Sequence, residues 1–135
     1  MSLAQRAMER LQAWPDLMAG PASCGTGRAL RSARAEIVHF HSTRDVDLHL
    51  TSRAIQRFHY DLAGSSALHL VPGSGWVTVH LDCEADIDLL LSLVSIALKS
   101  HQTRPASEAA RQGAEGRGCN FHRVTVLPRD AAAGG

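Results

Sequence analysis

Apolar positions recur along the first part of the chain with two different periods, one helical and one of two residues, and the switches between them mark out the elements. In residues 3–14, Leu3, Ala7, Leu11 and Trp14 fall at helical spacing and Pro15 ends the pattern, which predicts a short amphipathic helix packing through Leu11 and Trp14. The stretch GPASCGTG, Gly20 to Gly27, reads as a turn-rich loop of small residues. Strands are expected near Arg28–Ser32 and, on a firmer pattern, over Glu36–His41. Asp45–Leu50 alternates polar and apolar positions as a half-buried strand does, and the break Ser42-Thr43-Arg44 suits a hairpin, so these two strands should pair antiparallel.

Thr51 or Ser52 then caps a helix running to about Leu62, with Ile55, Phe58 and Leu62 on one stripe and Gly64 supplying a left-handed residue at its end. Ala67–Val71 and Trp76–Leu81 follow as strands, joined by Pro72-Gly73-Ser74-Gly75 in a second antiparallel hairpin. Asp82 is placed to cap a last helix from Glu84 to about Ser100. Ile87, Leu90, Leu91, Val94 and Leu98 share one face of that helix, while Leu89, Leu93 and Ile96 widen its apolar arc. Either the helix is sunk into the core or its outer edge meets a partner, a second copy in a homodimer being the simplest. The elements sum to an α+β domain over residues 1–100: a mostly antiparallel sheet of about four to six strands with helices packed chiefly on one face. Residues 101–135 hold few large apolar side chains and are expected to form a mobile tail, with one late strand at 121–127.

Composition narrows the class without naming a function. A chain of 135 residues, 44% hydrophobic and 20% charged, can build one core without a staple. Net charge is +1 and Lys99 is the single lysine, so positive charge is spread as arginine; no nucleic-acid partner is expected. Cys24, Cys83 and Cys119 are far apart and form no Cys-x-x-Cys pair, which argues against a zinc knuckle or a disulfide framework and for free thiols. Arg6, Glu9 and Arg10 interrupt what would be the apolar core of a signal peptide, and the run Ile87–Leu98 is broken by Asp88, Ser92 and Ser95. No membrane association and a cytoplasmic location are the expectations. Ser74 lacks the spacing of a nucleophile turn, and the acidic cluster Glu84, Asp86 and Asp88 is explained by a helix N-terminus.

Candidate chemistry sits on the strands. Side chains alternate across a strand, so Val38, Phe40, Val46, Leu48, Leu50, Leu68, Leu70, Val77, Val79 and Leu81 define one face. Ile37, His39, His41, Asp47, His49, His69, Trp76 and His80 fall on the other. Three readings of that second face stay open. It is the wet side of a sheet covered on one side only. It is a metal site, since several imidazoles and a carboxylate suit zinc, iron or copper. Or it performs acid–base chemistry, a histidine oriented by Asp47 taking a proton from an enol or phenol, with Trp76 as an aromatic wall for a flat substrate.

The motifs WP at Trp14-Pro15, GPASCG, EIVHFH, VDLHL, HLVPGSGWV and EADIDLLLSLV occur in an order that resembles the luciferase domain family, small bacterial proteins related to the fungal bioluminescence luciferases. The resemblance covers about Trp14 to Ser100. It places the family pattern on Glu36, Ile37, His39 and His41, on Asp47, on His69, and on the turn Ser74, Gly75 and Trp76. It implies a cofactor-free oxygenase chemistry with dioxygen as co-substrate and no tightly bound metal or flavin, in which an enolic molecule such as a hydroxypyrone is deprotonated and oxidised. With that resemblance His39, His41, Asp47 and His69 are the candidate catalytic residues, and Glu36, Ser74 and Trp76 the candidate contacts to a small-molecule ligand; His80, outside the family pattern, joins these contacts from strand parity alone. The competing reading is a non-catalytic module that binds a ligand or a protein through the last helix.

Overall fold

The structure, a computed structural model, describes residues 2–22, 27–33, 35–103 and 119. The tail expected to be mobile and the late strand at 121–127 fall outside the described residues, except for Cys119. The elements are α1 (Leu3–Gln12), β1 (Met18–Pro21), β2 (Arg28–Arg31), β3 (Glu36–Phe40), β4 (Asp45–His49), α2 (Ser52–Arg57), α3 (His59–Ala63), β5 (Leu68–Leu70), β6 (Trp76–His80) and α4 (Glu84–Thr103). The strands form one six-stranded sheet in the order β1-β2-β3-β4-β6-β5, with every neighbouring pair antiparallel. This is the α+β architecture that the periodicity predicts. No helix among the described residues is long and apolar enough to cross a membrane.

Both predicted hairpins form, and the register puts the apolar rows on one face. Val38 pairs with Leu48 and Leu48 with Val77, while Phe40 pairs with Val46 and Val46 with Val79. These side chains join Ala7 and Leu11 of α1 and Ile87, Leu90, Val94 and Ala97 of α4 in a single core. At about 25 cal/mol per Å² of apolar surface removed from water, that shared core is the main force holding helices to sheet. Leu93 is buried, and Leu89 and Ile96 are half-buried against the core. On the polar side, Arg6 pairs with Glu84 and Arg10 Nη1 lies 3.5 Å from Asp88 Oδ1, linking α1 to α4 through exposed pairs that add little.

Five local expectations are corrected. The start of the glycine-rich loop is a strand, because Met18–Pro21 pairs with Arg28–Arg31; Pro21 is tolerated there at the sheet edge. Gly27 closes that hairpin at φ 82, and a Cβ there would collide with the Phe40 carbonyl oxygen. Ile37 leaves the histidine face and enters the core, because the register slips between Leu30↔Val38 and Arg31↔Glu36 and makes Ile37 the extra residue of a bulge. The helix after Thr51 breaks at Phe58, and Gly64 ends it at φ −78 in the right-handed region, its N–H tightening the last turn by bonding to the carbonyls of Leu62 and Tyr60. Asp86, rather than Asp82, caps α4: its Oδ2 accepts from the N–H of Asp82 at 2.8 Å and of Cys83 at 3.2 Å. Those bonds favour the charged carboxylate and hold its pKa below the usual range. Asp82 instead turns to Arg44 and His80. Finally, α4 does not stop at Ser100 but runs on through His101, which is buried.

Candidate functional site

Register decides which polar side chains meet. Across the face opposite the apolar rows, His39 on β3 pairs with Asp47 on β4, Asp47 with Thr78 on β6, and Thr78 with His69 on β5. In the adjacent row His49 pairs with Trp76. Directly opposed residues have Cβ atoms about 5 Å apart, so each row is a line of touching groups.

Over β3, β4 and the Trp76 end of β6 that face is not the wet side of a sheet, which corrects the first reading there, while His69 and His80 on β5 and β6 remain exposed. His39 is 1% exposed, Asp47 2%, His49 2% and Trp76 1%. The rings cover one another. His41 meets His39 edge-on at 5.5 Å between centroids, and His39 lies 4.5 Å from Trp76. Trp76 stacks on His49 at 4.8 Å with planes 8° apart, and His101 from the end of α4 meets His49 edge-on at 4.5 Å. His101 Nε2 lies 3.0 Å from the His49 carbonyl oxygen, and Thr51 Oγ1 lies 2.8 Å from Ser100 Oγ, which pins the helix end to the end of β4. Thr51 holds φ 85, a strained value for a β-branched residue, while its hydroxyl caps α2 through the Ala54 N–H.

At the other end of this line the groups are ionisable. Glu36 Oε1 lies 3.1 Å from His39 Nε2, a contact that parity alone would not allow and that the Ile37 bulge makes by turning Glu36 to the histidine side. Burial lowers the His39 pKa, and the Glu36 charge opposes that shift without overcoming it. Thr78 Oγ1 donates to Asp47 Oδ1 at 2.6 Å, and Asp47 Oδ2 lies 3.4 Å from His41 Nε2. The thiol of Cys119, itself 0% exposed, stands 3.4 Å from the same nitrogen. His41 also forms part of the wall of a groove of about 350 Å³ together with Gln5 and Met8 of α1 and Arg28, Phe40 and Thr43 of the sheet side. Its side chain is only 2% exposed, so the imidazole stands behind that wall.

The structure thus brings together His39, His41, Asp47, Glu36 and Trp76. It leaves His69 and His80 outside: His69 is exposed on the edge strand, and His80 is exposed with Nδ1 2.7 Å from Asp45 and Nε2 3.1 Å from Asp82. The Asp45 hydrogen bond raises the His80 pKa. Ser74 is buried, but its hydroxyl accepts from the Trp76 N–H at 3.0 Å and shapes the turn. Trp76 is packed between two histidines, which leaves it no free face to serve as a ligand wall. Cys119, Thr78, His49 and His101 complete the cluster without having been singled out as site residues. For His101 a signal existed, since it continues the Leu90, Val94, Ala97 stripe by one more helical step. Cys119 had none, being joined to the site only through space.

Among families of known proteins, residues 34–97 match the family model described as Luciferase domain. A search of curated proteins and a search of solved structures each returned no match.

Proposed function

From the match of residues 34–97 to the luciferase domain family, we propose that this protein binds a flat enolic or phenolic small molecule in the groove beside His41 and oxidises it with dioxygen. The observation that carries this reading is that one residue, His41, belongs both to the groove wall and to the buried Asp47–Thr78 hydrogen-bonded pair. The His41 imidazole would accept the ligand proton, and Asp47, held by Thr78, would stabilise the imidazolium that results. Arg28 in the same groove offers a cation for the ligand anion. Deprotonation makes the enolate carbon electron-rich, and that carbon is the donor to dioxygen. Because the His41 ring is only 2% exposed, access to it requires the groove wall to move.

Dissolved-oxygen measurements on the purified chain with a panel of hydroxypyrones and phenols test the proposal. Uptake that falls 10²- to 10⁴-fold in His41→Ala, the usual contribution of a general base, is the expected result. Ligand-induced shifts of the groove amides without oxygen uptake would instead identify a non-catalytic binding module. The packing of Trp76 among histidines favours that second reading, since it withholds an aromatic surface from the ligand.

A further inference from the structure

The acid–base reading makes no use of Cys119, although its thiol is fully buried against His41. His39, His41 and Cys119 each offer one donor atom, and the three atoms lie within 4.8 Å of one another. We infer that these three side chains bind a single zinc-class divalent ion, with Asp47 and Glu36 as carboxylates of the surrounding layer.

The argument rests on geometry and donor chemistry. His39 and His41 stand two apart on one strand, so both imidazoles project to one side, and the sheet brings Asp47 beneath them. A thiolate and two imidazoles select zinc or copper rather than magnesium or calcium, which prefer oxygen. Tetrahedral zinc with bonds of about 2.0–2.3 Å sets its ligand atoms about 3.3–3.6 Å apart, so the observed trio must draw together by roughly 1 Å at its widest, within the range of side-chain rotation. Charge favours a cation here: the thiolate, the Asp47 carboxylate and the nearby Glu36 carboxylate offset a divalent ion among side chains that are mostly buried. The carboxylate beside an imidazole, as Glu36 is beside His39, is the usual outer partner of a ligating histidine. Three protein ligands leave a fourth position for water or a small ligand, the pattern of catalytic rather than structural zinc. The bland alternative is that Cys119 is simply a small apolar residue packed on a ring.

Cobalt(II) titration of the reduced, full-length protein distinguishes the two. One equivalent should produce a thiolate-to-cobalt charge-transfer band and the visible bands of tetrahedral cobalt, and zinc should abolish both. Cys119→Ser should remove the charge-transfer band, Cys83→Ser, at an exposed thiol, should keep it, and His39→Ala should weaken binding at least tenfold. Absence of the band, or its survival in Cys119→Ser, overturns the proposal. If Cys119→Ser fails to fold by circular dichroism, thiol alkylation of the native protein followed by mass spectrometry decides: selective zinc protection of Cys119 supports the site, and equal labelling with and without zinc refutes it. The proposal goes beyond the oxygenase reading and stands or falls separately, since the cobalt spectrum does not depend on oxygen uptake. The two also interact in a readable way. A metal on His41 Nε2 takes the nitrogen that faces Asp47 and leaves the ring proton on Nδ1, where the ligand proton would have to go, so zinc should suppress oxygen uptake wherever His41 is that base.

Discussion

Two histidines of the same sheet illustrate how environment rather than residue type sets chemistry. His39 is buried and its pKa is lowered, whereas His80 is exposed and its pKa is raised by the Asp45 hydrogen bond. In metal-free protein, NMR titration should therefore place His39 below and His80 above the ordinary imidazole value of about 6.5. The linkage signs are opposite. An unfolded His39 takes up its proton near about 6.5 while the folded residue resists, so its contribution is intact above that pH and stability falls as pH drops through and below it. His80 contributes below the ordinary value and loses that contribution as pH rises through its folded value, weakly because the pair is exposed. Denaturant melts at pH 7 and pH 5 should show a smaller acid loss in His39→Gln than in the parent. An equal loss in both would mean that His39 is not the group resisting protonation. The type of every one of these residues is legible in the sequence; the direction of each shift is not, because desolvation depends on what covers the ring.

At the level of elements, periodicity located most strands and helices because each has one face in the core. It failed where local geometry departs from the regular period. The Ile37 bulge inserts one residue, so Ile37 and Val38 both enter the core and Glu36 crosses to His39, an exchange invisible to strict alternation. The start of α4 shows a second limit. An acidic first turn is readable, but whether Asp82 or Asp86 receives the free N–H groups depends on which carboxylate Arg44 and His80 draw away. Asp86→Ala should cost about 0.5–2 kcal/mol, the usual loss for removing a helix cap, measurable as a lowered denaturation midpoint. Because the Asp86 pKa is held low in the folded state, its stabilisation is present above the ordinary carboxylate value and is lost as pH falls through the folded one. Parent and variant melts should accordingly converge in acid. Asp82→Ala should lose less, since its partners are exposed.

Over the whole molecule, the sheet has its core on one face and a buried line of five rings, His41 to His101, on the other. The far end of that line is held by α4, whose last turn brings His101 to the His49 carbonyl. His101→Ala removes a buried hydrogen-bonding ring and should destabilise by about 1–3 kcal/mol. Loss of the His49 ring-current shift in its NMR spectrum would confirm that the line is broken, whereas a variant as stable as the parent would mean that the contact is dispensable. By itself the sequence determined the α+β class, the two hairpins, the apolar rows and the placing of His39, His41 and Asp47 on one face, because these follow from chain-local periods of two and of about 3.6 residues. It also carried the stretch of residues 34–97 that matches the Luciferase domain model. Only the tertiary structure decided that His39, Asp47 and His49 are buried, that Trp76 is enclosed, that His69 and His80 stand apart and exposed, and that Cys119 reaches His41 across 78 positions of chain. Those outcomes depend on which groups exclude water from which others, and contacts between distant segments leave no period in the sequence to read.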